Sequence, residues 1–151
     1  MLSMFDLPIT EAVYAFTTHD GQAVHIAAST LLGALERKPW PVTHCVIAPS
    51  LVEALERGDL GVEPPHALSL PDAALERPGV VGEWGDGAHI CIDGAHRLWR
   101  RWKRGDADFP AYVVPEALWR HFQIGDMPGS AEHWREWNKT AQIRTPETEA
   151  F

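Results

Sequence analysis

Alternating apolar and polar positions mark short strands along the first half of the chain. Ala12 to Phe16 and Val24 to Ala27 predict two strands, with the turn signal His19-Asp20-Gly21-Gln22 between them. Ser29 and Thr30 offer capping oxygens for a helix through Arg37, closed by Lys38-Pro39. Val42, Val46 and Ile47 set a strand within 41–48. Leu51, Val52 and Leu55 then share one helical face up to Arg57, with Gly58 at the C-terminal cap position. The stretch 59–71 carries Pro64, Pro65 and Pro71 and predicts a loop with one short strand. A helix of one to two turns is expected from Pro71-Asp72 to just before Pro78-Gly79.

The second half is more regular. Val80 to Trp84 and Ala88 to Asp93 flank Gly85-Asp86-Gly87, which predicts a hairpin with a three-residue turn. Gly94 separates the second strand from a helix over 95–104, which Gly105 stops. Phe109 to Val114 predicts a further strand, and Pro115-Glu116 opens a helix to about Gln123. Ser130 is placed to cap a short helix bearing Trp134 and Trp137, and 141–151 reads as a frayed tail. These elements predict an α+β fold, a small mixed β-sheet with interleaved short helices, in a single domain over 1–125. At 100° per residue, Ala95, Leu98, Trp99 and Trp102 fall on one side of the 95–104 helix, the spacing of a core stripe. Arg97, Arg100, Arg101 and Arg104 fall opposite, with His96 and Lys103 on a flank.

Composition is ordinary for a globular chain, with 45% apolar and 23% charged residues in 151. The net charge of −8 excludes a general nucleic-acid coat but not a local basic patch. It also makes the 95–104 helix conspicuous, because five of the thirteen Lys and Arg residues lie at 97, 100, 101, 103 and 104. Either that face is merely solvated, or it is an anion-facing strip in which Arg100, Arg101 and Arg104 meet DNA. No apolar run approaches membrane-spanning length, so no membrane association is expected. Two cysteines and an N-terminus without signal-peptide character point to a reduced, cytoplasmic protein. Seven tryptophans supply either core and rim or a base-stacking surface.

Chemistry concentrates at Asp93-Gly94-Ala95-His96-Arg97, a strand-to-helix junction. The first N–H groups of a helix have no intrahelical partner and attract phosphate or carboxylate. Gly94 permits close backbone approach, while His96 and Arg97 set a titratable donor and a permanent cation beside those amides. Asp93 either caps the helix or holds a metal-bound phosphate. Glu83, on the facing strand, is expected to approach Asp93, and two such carboxylates would bind Mg²⁺ or supply a general base. The alternation of His89, Cys91 and Asp93, with His96 beyond, matches no zinc spacing, so no metal site is assigned there.

These residues resemble a known family. Ile92-Asp93-Gly94-Ala95-His96-Arg97-Leu98, followed about twelve residues later by Pro110-Ala111-Tyr112-Val113-Val114, is similar to the ParB/sulfiredoxin-like superfamily, over roughly 42–115. The resemblance implies that fold and a turn that binds nucleotide phosphates, ATP in sulfiredoxins and CTP in partition proteins, with Mg²⁺. It makes Gly94, Ala95, His96 and Arg97 the nucleotide-binding residues; Asp93 and Glu83, paired across the expected hairpin, are the catalytic candidates. Sulfiredoxins carry their catalytic Cys immediately before the His-Arg pair, where this chain has Ala95, so that activity is not expected. The Gly-Glu-Arg-Arg form of partition proteins is also missing, and after residue 115 there is no room for their DNA-reading domain. Two functions therefore stand as expectations. One is an enzyme that hydrolyses or transfers phosphate, as a nucleotidase, nuclease or small-molecule kinase. The other is a non-catalytic plasmid- or phage-type accessory module that binds nucleotide, DNA or a protein partner.

Overall fold

The computed structural model describes residues 1–18, 20–85 and 87–126. His19, Asp86, the expected helix with Trp134 and Trp137, and the expected tail at 141–151 lie outside the described residues. The fold is α+β, with small sheets and interleaved helices. The chain divides into two compact units. One comprises Met1–Pro39 with the segment from Pro115, and the other comprises Trp40–Val114.

In the first unit, β1 (Val13–Thr17) pairs antiparallel with β2 (Ala23–Ala27), and α1 (Ala28–Arg37) follows directly. The strands are rich in β-branched and aromatic residues that suit a half-buried pleat. The returning segment forms α5 (Glu116–Trp119), then a 3₁₀ turn at Arg120–Phe122, where a single helix to about 123 was expected. Ile124 then donates to the His25 carbonyl at 2.8 Å, and Leu2 donates to the Gln123 carbonyl at 2.8 Å. Val13, Ala27 and Ile124 are buried together under Leu2, Met4 and Leu7. Trp119 is fully buried, edge-on to Phe16 at 6.0 Å.

The second unit is built on a four-stranded mixed sheet. Its strands are β3 (Val42–Val46), β4 (Gly79–Trp84), β5 (Ala88–Asp93) and β6 (Asp108–Val114), in the order β3-β6-β4-β5. Only β4 and β6 run parallel, because α4 (Ala95–Arg104) carries the chain from β5 back past β4. The expected hairpin is β4–β5, with a register shift between Val80 and Val81. Leu55, Val81, Leu98, Phe109 and Ala111 form one core cluster, with Leu55 supplied by α2 (Pro49–Arg57).

The stretch read as a loop with a strand is instead α3 (Pro64–Ser69), followed by a 3₁₀ turn at Asp72–Glu76. Pro64 and Pro65 occupy its first turn, where a missing N–H removes no helical hydrogen bond. Both elements lie against α4. Among the described residues no helix is long and apolar enough to cross a membrane.

Candidate functional site

The β5–α4 turn is set by two glycines. Gly94 caps α4 at φ 95°, a conformation that side chains other than glycine rarely adopt. A Cβ on Gly79 would lie 2.7 Å from the Asp93 carbonyl oxygen, so only glycine lets β4 pass this closely. The turn places Asp93 at 2% exposure, His96 at 5% and Arg97 at 3%.

Arg97 is held on three sides. Its Nη2 donates to Asp93 Oδ2 at 3.1 Å, and its Nη1 donates to the Arg77 and Pro78 carbonyls at 3.1 and 3.4 Å. Burial pushes the Asp93 carboxyl up, against the opposing pull of Arg97 and Arg77. Burial also pushes the Cys91 thiol up to about 12, and Cys91 Sγ–H donates to the Asp93 carbonyl at 3.6 Å. Cys91 is therefore an inert neighbour of the turn.

His96 Nε2 accepts from the Glu63 N–H at 3.1 Å, so the neutral ring carries its proton on Nδ1. Burial, with His66 and Arg97 nearby, lowers its pKa to about 4. The His66 ring stands edge-on to it at 4.7 Å. Three atoms of the turn have no hydrogen-bond partner although they are buried: Asp93 Oδ1, His96 Nδ1 and Arg97 Nε.

Two expectations about placement do not hold. Asp93 stands opposite Val80, whereas Glu83 stands opposite His89, about 10 Å further along the ladder, so the two carboxylates do not meet. The exposed arginine strip is also absent, because the helix is rotated from the expected wheel. Arg101 is buried, donating to the Leu75 carbonyl at 2.9 and 2.7 Å and pairing with Asp106 at 3.0 Å. Arg100 donates to the Ala67 and Leu70 carbonyls at 3.2 and 2.5 Å and pairs with Asp72 at 2.6 Å. Arg104 alone of the three stays exposed, and it is bound to Asp106 at 2.7 Å. Arg100 and Arg101 fasten the 67–76 segment to α4. Trp99 and Trp102, expected in the core, are only half-buried.

No family model, curated protein or solved structure matches this chain. The fit of a phosphate group therefore rests on the turn itself. The donor set suits an anion: α4 has no side-chain cap, and His96 Nδ1–H and Arg97 Nε–H are unmatched. The space is small. The cavity along Asp93, Gly94 and Arg97 measures about 10 Å³, room for one water and not for a phosphate. Among the described residues no group of three His, Cys, Asp or Glu side chains converges on one point.

Proposed function

We propose that the protein is a non-catalytic binding module for a phosphate-bearing ligand, a nucleotide, at the β5–α4 turn. One observation carries this reading. Among the described residues, the buried side-chain donors left without a hydrogen-bond partner, His96 Nδ1 and Arg97 Nε, both fall in the first turn of a helix with no side-chain cap. The third unmatched atom, Asp93 Oδ1, is an acceptor and takes a water or a ligand hydroxyl, not the phosphate oxygens. Buried polar atoms elsewhere in folded proteins are overwhelmingly paired, so unmatched ones call for an explanation. The resemblance of Asp93-Gly94-Ala95-His96-Arg97 to the ParB/sulfiredoxin-like turn supports a nucleotide as the ligand.

Binding without turnover is favoured by the distance between Glu83 and Asp93, which keeps these two carboxylates from acting together on a water or a metal. A ligand that engages His96 has to displace the neighbouring Glu63–Ser69 segment, because the small cavity beside Arg97 is walled by other residues. That segment is held at this end by the Glu63–His96 hydrogen bond and the His66–His96 ring contact. Two free cysteines among the described residues agree with a cytoplasmic setting. DNA is a weaker alternative partner, because Arg100 and Arg101 are already engaged.

Titration calorimetry with ATP, CTP and GTP, with and without Mg²⁺, tests this. The native chain is expected to bind at least one of them, with no phosphate released. Arg97→Lys should weaken binding about tenfold while the melt shows a folded protein, because lysine has no counterpart of the unmatched Nε–H. Equal affinity in a folded Arg97→Lys variant overturns the site. Hydrolysis that Glu83→Gln abolishes overturns the absence of turnover.

A further inference from the structure

A second concave surface lies on α4 beyond the turn, and it shares only Pro64 with the segment over the phosphate site. A groove of about 380 Å³ runs between α2 and α4, within the range of small-molecule sites. Leu55, Leu60 and Val62 give it an apolar wall, and the half-buried Trp99 and Trp102 give it two aromatic ones. Lys103 Nζ stands 4.5 Å from the Trp102 ring centre and 5.5 Å from that of Trp99. An ammonium held over two rings is fixed in place by their quadrupoles, not by a counter-ion.

The polar groups of this groove are unbalanced. Lys103 has no carboxylate within ion-pair distance among the described residues, and neither indole N–H of Trp99 or Trp102 meets an acceptor there. Arg57, also on the lining, is occupied by Asp59 at 3.0 Å and by Glu53 at 3.9 Å. Glu56 is the one carboxylate of the lining. In a chain of net charge −8, a cation without a carboxylate beside two indoles is the feature that needs a complement. We propose that this groove binds a small amphipathic anion. Its flat apolar body lies along Trp99 and Trp102, and its carboxylate or sulfonate sits on Lys103.

The test uses 2-naphthoate and its uncharged counterpart 2-naphthamide on the full chain, read by calorimetry and by the indole N–H resonances. Naphthoate is expected to bind one per chain and to shift the Trp99 and Trp102 indole signals, assigned through Trp→Phe variants. It should bind about tenfold more tightly than naphthamide. Lys103→Gln, at an exposed position, should remove that tenfold advantage and leave naphthamide binding unchanged. Equal affinity of the two probes, or an unchanged advantage in Lys103→Gln, overturns the anion assignment. No binding of naphthoate at millimolar concentration, or shifts confined to other indoles, overturns the groove. Arg97→Lys, whose contacts are with Arg77, Pro78 and Asp93, should not affect naphthoate, which keeps this result separate from that of the phosphate site.

Discussion

Both units bury a carboxylate at the start of a helix, and the two carboxylates are treated differently. In the first unit Glu11 is 1% exposed and reaches across to α1, whose own N-cap residue, Ala27, offers no side-chain cap. Its Oε2 accepts the Ser29 and Thr30 N–H groups at 2.7 and 3.2 Å, and its Oε1 accepts the Thr30 hydroxyl. Both oxygens are used, and two orphan donors of the helix are satisfied. In the second unit Asp93 is buried as deeply, yet it has one oxygen on Arg97 and leaves the other unmatched beside two unmatched donors. A buried charge with every atom bonded closes a helix end. On the proposed reading, one with atoms left over is kept for a further partner.

The largest expected effect separates these roles by stability. Asp93→Ala leaves the Arg97 guanidinium buried without its counter-ion and should cost about 3–5 kcal/mol in denaturant unfolding. Asp93→Asn should recover little, because an amide cannot neutralise Arg97. Glu11→Ala should cost about 2–4 kcal/mol through lost capping and stranded donors. Glu11→Gln should restore most of that, since its carbonyl can take the N–H groups while its amide donates to Thr30. A Glu11→Gln variant as unstable as Glu11→Ala would erase the distinction.

A smaller effect follows from pH. The His96 pKa is lowered to about 4 from the usual 6.5, so between those values the unfolded chain binds more protons than the native one. Stability should therefore fall as pH drops from 6.5 to 4, by on the order of 3 kcal/mol at most, and His96→Gln should flatten that slope. Glu11 acts in the opposite sense. Burial raises its pKa above the usual 4.5, so its contribution is present below 4.5 and is lost as pH rises through the raised value. Glu11→Gln should remove that opposing slope. A stability profile over pH 4 to 6.5 that neither substitution alters would contradict both assignments.

Much of the second unit was legible in its residues. Gly85-Asp86-Gly87 marked the β4–β5 hairpin, and Gly94 and Gly105 bounded α4 within a residue of its observed ends. The α3 helix was missed because Pro64 and Pro65 read as breakers, although a first turn tolerates both. The rotation of α4 was missed for a different reason. Arginine on a helix ordinarily faces water, but here the partners of Arg97, Arg100 and Arg101 are mostly backbone carbonyls at 67–78. Every residue has a carbonyl, so no side-chain pattern announces which ones will be brought over a helix. The separation of Glu83 from Asp93 depends on strand register, which is shifted at Val80/Val81.

The direct test of the phosphate turn is an amide ¹⁵N–¹H titration with ATP, following Ala95, His96 and Arg97 against Ser29 and Thr30 as an internal control. The α4 amides should shift in a saturable way, accompanied by shifts across Glu63–Ser69 as that segment lifts. Ser29 and Thr30, already bonded to Glu11, should stay in place. No shift at 95–97 under saturating ATP, or equal shifts at 29–30, would contradict a ligand site at the β5–α4 turn.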